Sequence, residues 1–266
     1  MNKKVKKILR RAPKNIVLTI ISLFCVFPLF WVIVAATNKS VDILRGTLIP
    51  GGYLEENWKT LISTYAIGPA LWNSVKYSVV TTFVSLVVSS VAGYGFEVYH
   101  DKHKDHVFGV LMLTMIPLYQ MYSKLHLLDT TLGFILPLIS SVFLIMLFRQ
   151  NSRAFPMEIV EAARIDGENE LGIFFKMYVP TMKATYAAGM TITFMNAWNN
   201  YMWAKLIMSD DTTQTFPMLV ANMTSGHYID YGQLMLAVLI STLPTVIVFF
   251  ALQRSFVEGM TGAVKG

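Results

Sequence analysis

Residues Glu158–Pro180 read EIVEAARIDGENELGIFFKMYVP. Seven of these residues are formally charged and two are glycines, while long apolar runs lie on either side. Such an interruption belongs in water. What its flanks are decides what the polar piece is attached to.

The flanks are those of a membrane protein. Of 266 residues, 54% are hydrophobic and 14% charged, with a mean hydropathy of +0.51, whereas soluble domains carry about 25% charged residues. Six windows contain no charged residue: 16–37, 77–96, 107–123, 130–148, 184–204 and 231–253. A helix needs about 17–25 apolar residues to cross the hydrocarbon, and backbone groups in lipid must be satisfied within the segment. The windows therefore predict an all-α fold: one polytopic membrane domain over 1–266 with six transmembrane helices. Pro28, Pro117, Pro137 and Pro244 lie within spans, where kinks are tolerated.

The opening MNKKVKKILRRAPK, with the apolar run after it, has the outline of a signal peptide. The apolar core of a signal is about 7–15 residues; this run is longer and reads as an uncleaved span. With the N-terminus inside and spans alternating, inside segments hold 16 of the 22 lysines and arginines. That bias puts both termini in the cytoplasm, along with the polar stretch between spans four and five. The basic N-terminus then reads as an orientation signal and anchor for anionic lipid, not a nucleic-acid patch. Cys25 is the single cysteine, so no disulfide forms within the chain.

Within the stretch, Pro156 suits a first helical position and Gly167 the position just past a helix end. This predicts a helix over 156–166, with Glu161 and Arg164 pairing on its surface. Ala162 and Ala163 let another surface approach. A second helix starts near Glu168 and Glu170, where acidic groups complement the N-terminus. Leu171, Phe174, Phe175 and Tyr178 recur at helical spacing and are expected to bury one face. On these grounds alone the stretch is either a solvated connector or a contact surface.

EAARIDG followed nine residues later by MYVP resembles the signature of ATP-binding-cassette importer permeases: Glu-Ala-Ala, three residues, Gly, nine residues, Ile-x-Leu-Pro. Glu161, Ala162, Ala163, Gly167 and Pro180 match in register, with Met177 and Val179 replacing the usual Ile and Leu. ATNKS, RAFP, AWNNYMW and the ending QRSFVEGMTGAVKG extend the likeness to the carbohydrate branch, specifically the maltose-type inner-membrane subunit. One departure is LTMIPLYQMYSKLHLLDTT at span three, which is shorter than the family pattern and has one proline.

The resemblance implies a sugar importer permease of a bacterial cytoplasmic membrane. Its loop 154–180 would be a coupling helix docking on a separate ATPase through Glu161, Ala162, Ala163, Arg164, Asp166, Gly167 and Pro180. It also implies a tail reaching the ATPase interface with Gly259, Gly262, Ala263, Lys265 and Gly266. The partners would be a homologous permease, forming a heterodimer, two ATPase subunits and an extracytoplasmic sugar-binding protein. ATP and Mg would be bound by the ATPase. This chain has no phosphate-loop motif and reads as a transport subunit without catalytic residues.

Span five carries the most polar membrane motif, MNAWNNYMW. Asn196, Asn199, Asn200 and Trp203 follow i, i+3, i+4, i+7 and predict one helical face. Carboxamides suit sugar hydroxyls, and the indoles of Trp198 and Trp203 suit sugar C–H surfaces, so the face reads as a substrate pathway. Its alternative is interhelical packing through asparagine. The histidines of Tyr99–His106 read as a solvated connector, not a metal site. The long outer loop near 208–232 is either a connector or, by resemblance, a contact for the binding protein. Alternatives in function are an importer of the same build for a non-sugar solute, or a stand-alone channel. No charged residue lies within a span, which argues against a proton relay.

Overall fold

The computed structural model describes residues 3–98, 116–225 and 228–262. All regular structure among them is helical: α1 (Lys3–Ala36), α2 (Ser40–Leu44), α3 (Leu54–Thr64), α4 (Ile67–Val98), α5 (Ile116–Lys124), α6 (Thr131–Ile139), α7 (Val142–Ser152), α8 (Met157–Ile165), α9 (Glu170–Gly172), a π-helical turn (Ile173–Tyr178), α10 (Val179–Thr181), α11 (Lys183–Trp198), α12 (Tyr201–Ile207), α13 (Phe216–Asn222) and α14 (Tyr231–Gly262).

Among the described residues, three stretches are long and apolar enough to cross a membrane: Lys14–Ala36 in α1, Ile67–Val98 and Tyr231–Arg254 in α14. They contain predicted spans one, two and six, apart from Thr37 at the end of span one. Predicted span four is a bent pair, α6 and α7, that turns through 44°. Pro137 lies in α6, and Ser141 caps α7 by accepting a hydrogen bond from the Leu144 N–H. Predicted span five is also broken. α11 stops at Trp198, and α12 restarts at Tyr201 under the side chain of Asn200. Asparagine competes for backbone hydrogen bonds and favours caps over helix interiors, so Asn199-Asn200 ends the helix. Of predicted span three, residues 107–115 lie outside the described residues, as do the histidines of 99–106; α5 covers its end.

The chain forms two compact units, Met1–Ala66 with Val220–Thr242, and Ile67–Leu219 with Leu243–Gly266. In the first, asparagines do the joining. Asn57 donates to the carbonyls of Ala36 and Asn38, and Asn38 donates to those of Val34 and Ile49, each at 3.0 Å. Asp230 opens α14, accepting from Ser40 Oγ, Gly232 N–H and Gln233 Nε2.

In the second unit α4 is the central post, packed against α6, α7 and α11. Its composition is inside-out. The buried face holds Ser74, Ser78, Thr81, Thr82, Ser85, Ser89, Ser90 and Gly93, and the exposed face holds Val79, Phe83, Val87 and Val91. Small residues let helices approach closely where lipid offers no hydrophobic drive for association. At Gly93 the approach is closest: a Cβ there would lie 2.6 Å from Phe148 Cβ and 2.8 Å from the Arg149 nitrogen. Ser85 Oγ donates to the Ile139 carbonyl at 3.1 Å, satisfying backbone freed at the bend.

One end of this unit is closed by Asp129. Its φ of 55° is a left-handed conformation that aspartate and asparagine tolerate. The carboxylate accepts from Ser209 N–H, Asp210 N–H and Thr213 Oγ1 at 2.6, 3.0 and 3.1 Å. Burial works against ionisation here, but these hydrogen bonds outweigh it and hold the carboxyl below its ordinary range. A lowered pKa stabilises the fold above the unfolded value, about 3.9, and the gain is lost as pH falls through the folded value. Asp129→Asn keeps the backbone conformation and removes the charge. Thermal unfolding in detergent is expected to find this variant less stable than wild type at pH 7, with the gap closing toward pH 3. A gap independent of pH would contradict the assignment.

Candidate functional site

The polar stretch folds as a helix–turn–helix after α7. Pro156 sits at the N-cap of α8, one residue earlier than the sequence places the first turn. Val160 and Ala163 of α8 are buried three residues apart, against Ile173, Phe174 and Tyr178. Glu161, Ala162, Arg164 and Asp166 are exposed.

The turn is a two-bond C-terminal cap. Glu168 N–H donates to the Ala163 carbonyl at 2.9 Å and Gly167 N–H to that of Arg164 at 3.1 Å. This pairing requires a left-handed residue just past the helix, almost always glycine. Gly167 has φ +81°, and a Cβ there would meet nothing within 4 Å. The demand for glycine is therefore conformational and not spatial. Asn169 caps the next helix by accepting from Gly172 N–H at 2.7 Å.

Two ion pairs bind the turn to its flanks. Arg164 Nε reaches Glu170 at 2.7 Å and Lys176 Nζ reaches Glu168 at 2.8 Å. Arg164 thus pairs across the turn with Glu170, where the sequence spacing had indicated Glu161. Both pairs are partly exposed, and each contributes about 0–1 kcal/mol.

The second helix buries Phe174 and Tyr178 as expected, but not Leu171 and Phe175. Ile173, Phe174 and Tyr178 are buried, while Leu171 is 71% and Phe175 60% exposed. The cause is the π turn over Ile173–Tyr178. A π turn bonds i to i+5 and advances the register beyond the 3.6-residue period.

The buried side chains form an aromatic bolt. Tyr178 packs on Tyr94 (4.7 Å), Phe174 (5.3 Å) and Phe155 (5.5 Å between ring centroids). Its hydroxyl lies 2.7 Å from Ser152 Oγ, and burial pushes the phenol's pKa up, so it stays neutral. The bolt ties the helix–turn–helix to α4 through Tyr94 and to the end of α7 through Ser152. The outer side of the turn is apolar as well: Ile165 is 86% exposed, beside Leu171 and Phe175.

The other sequence-indicated residues divide. Pro180 is exposed in α10. Gly259 and Gly262 lie within α14, which runs to Gly262. Ala263, Lys265 and Gly266 lie outside the described residues. The break at Asn199-Asn200 removes the single face expected of Asn196, Asn199, Asn200 and Trp203. Asn199 donates to the Met195 carbonyl and Asn200 caps α12. Trp198 and Trp203 are buried, and Trp203 Nε1 donates to the Phe134 carbonyl at 3.2 Å. Both indoles are core of this chain. Asn196 is exposed. Sequence reasoning missed Ser152, Tyr94 and the exposed Ile165. Tyr94 and Tyr178, aromatics beside glycines and a proline, were the only available signal.

Residues 7–262 match the family described as binding-protein-dependent transport system inner membrane component. The chain is 40% identical over 267 residues to the lactose transport system permease protein LacG of Rhizobium radiobacter, covering 96% of this chain and 98% of that one. It is 30% identical to the arabinooligosaccharides transport system permease protein AraQ of Bacillus subtilis (strain 168), covering 92% of each. It is 32% identical to the sn-glycerol-3-phosphate transport system permease protein UgpE of Yersinia pestis, covering 94% and 96%. In fold it resembles a chain of a bacterial ABC transporter involved in the import of the acidic polysaccharide alginate, with a TM-score of 0.83 at 18% identity over 96% of this chain and 98% of that one.

The cap and the bolt give separable expectations for unfolding of the detergent-solubilised chain. Gly167→Val is expected to lower stability by about 1–2 kcal/mol, the penalty of a left-handed residue, whereas Gly167→Asn, which tolerates that conformation, costs much less. Tyr178→Phe is expected to cost about 1 kcal/mol through the lost Ser152 contact. Equal effects of Val and Asn at 167 would refute the conformational reading of the turn. Family match, relatives and fold agree: this chain belongs to the binding-protein-dependent transport system inner membrane component family.

Proposed function

We propose that this chain is the permease subunit of an ATP-binding-cassette importer that moves a sugar or oligosaccharide across a bacterial cytoplasmic membrane. In this reading it has six spans, with both termini and the helix–turn–helix on the cytoplasmic side. It pairs with a homologous permease, draws on two ATPase subunits that bind ATP and Mg, and receives solute from an extracytoplasmic binding protein.

The observation that carries the reading is the helix–turn–helix. It combines a rigid attachment through Tyr178 with an outward surface of Ile165, Leu171 and Phe175 among charges. An exposed apolar patch rimmed by charge marks a protein contact, and a rigid attachment lets force applied there move α4 and α7. In this reading Glu161, Ala162, Arg164 and Asp166 belong to the ATPase contact, Gly167 and Pro180 shape it, and the end of α14 with Gly259 and Gly262 lies near the ATPase dimer. Asn196, with Asn199 and Asn200, lies on the solute side.

The relatives named for lactose and arabinooligosaccharides favour a sugar. The relative named for sn-glycerol-3-phosphate keeps a second reading, an anionic solute. The uncharged windows of the spans favour the first, since a buried anion requires a paired cation.

The test is hydrolysis by the complex reconstituted with its binding protein. Gly167→Val, and more weakly Glu161→Ala, are expected to leave the subunit inserted while reducing co-purification of the ATPase and sugar-stimulated hydrolysis at least tenfold and about threefold, respectively. If both variants retain wild-type stimulation and uptake, the helix–turn–helix is a connector and the coupling role is wrong.

A further inference from the structure

The short helix α3 has three sides. One is buried, through Asn57 and Leu61. Beside it Leu54, Trp58 and Ile62 recur at i, i+4 and i+8, which aligns them along one stripe, and they are 47%, 45% and 50% exposed. The third side is polar: Glu55, Glu56, Lys59, Thr60 and Ser63 are exposed, and Lys59 Nζ reaches Glu55 at 2.6 Å. A groove of about 580 Å³ runs past Leu54 and Trp58 to Thr37 and the Gly51-Gly52 turn, so the stripe borders open space.

Hydrogen bonds within the first unit fix the level of this helix. Span one, Lys14–Ala36, has 23 residues; at about 1.5 Å each they cover about 34 Å, enough for a hydrocarbon core of about 30 Å. Ala36 therefore stands at a membrane surface. Asn57 Nδ2 donates to the carbonyls of Ala36 and Asn38 at 3.0 Å, and Tyr53 N–H donates to that of Thr37 at 2.9 Å. The start of span six meets the same asparagine: a Cβ on Gly232 would lie 2.7 Å from Asn57 Oδ1. Two span ends thus mark one surface, and α3 is bound to both. An apolar stripe at that level meets lipid headgroups and the first acyl carbons, where tryptophan is enriched and where amphipathic helices bury an apolar face. The neighbouring surface is of the same kind, since residues 14–30 of span one are exposed throughout. A protein partner fits less well. Three half-exposed side chains supply only a fraction of the about 800 Å² per partner that a stable contact buries.

We propose that α3 is an interfacial anchor, seated in the headgroup region of the bilayer through Leu54, Trp58 and Ile62, which holds the adjoining ends of spans one and six at a fixed depth. The occupant of the stripe is lipid, held by apolar contact. Glu55 and Glu56 outnumber Lys59, so the helix offers no attraction to anionic headgroups. The proposal needs only that spans one and six cross the membrane, and it is independent of the solute carried.

Nitroxide labels read the surroundings of α3 in the complete complex, assembled with cysteine-free partner subunits in vesicles of phosphatidylcholine and phosphatidylethanolamine. In a Cys25→Ser background, labels at Leu54→Cys and Ile62→Cys report the stripe, and a label at Thr60→Cys reports the polar side. Two stripe positions keep the test open if one variant fails to assemble. Collision with oxygen, which concentrates in lipid, is compared with collision with a water-soluble nickel complex. The ratio is expected to be at least about threefold higher at 54 and 62 than at 60, as for a helix lying in the interface. Equal, water-like ratios at all three positions would place the whole helix in solvent and overturn the anchor. Labels at 54 and 62 shielded from both reagents would mean that a protein subunit covers the stripe, and would overturn it as well.

Discussion

Tyr178 joins three parts of the chain at one point. Its ring is stacked or edge-packed against Tyr94, Phe155 and Phe174, and its hydroxyl meets Ser152. Phe174 adds an edge contact to Tyr94 at 5.4 Å between centroids, and Val160, Ala163 and Ile173 are buried in the same cluster. Through these contacts α8 and the π turn are fixed to the ends of α4 and α7. Buried aromatic pairs contribute about 0.5–1.5 kcal/mol beyond the area they bury, and here they converge on one residue. The π turn over Ile173–Tyr178 accompanies this contact. The extra residue brings Ile173, Phe174 and Tyr178 inward together and leaves Leu171 and Phe175 outside.

The second unit applies the corresponding rule within the membrane. In water, α4 would bury its valines and expose its serines; here it does the reverse. Small polar residues let backbones approach, as at Gly93, and their hydroxyls satisfy carbonyls released at bends, as Ser85 does for Ile139. Thr81 and Ser89 on the same helix have no such partner among the described residues.

Much of this was legible beforehand. Charge-free windows located the three long spans, and Pro156 and Gly167 bracketed α8 to within a residue, because caps and positive φ leave strong signatures. Gly167 carried the turn by itself. On the face of 171–178, Phe174 and Tyr178 were placed correctly but Leu171 and Phe175 were not, because the 3.6-residue period presumes a regular helix. Asn196, Asn199, Asn200 and Trp203 looked like one face for the same reason, yet asparagine pairs are also helix terminators. The pairing of Arg164 with Glu170 depends on a chain reversal that helical spacing does not include.

The central claim is that the helix–turn–helix moves as one body with α4. Spin labels at Ile165→Cys and Val91→Cys, both exposed positions, in a Cys25→Ser background report on this directly. Their separation, measured by pulsed electron resonance in the reconstituted complex, is predicted to be the same with and without ATP bound to the ATPase, to within about 2 Å, the scale of small interface shifts. A nucleotide-dependent change well beyond that, with Tyr178 intact, would mean that the helix–turn–helix slides on the bundle, and would contradict the rigid coupling argued from the aromatic bolt.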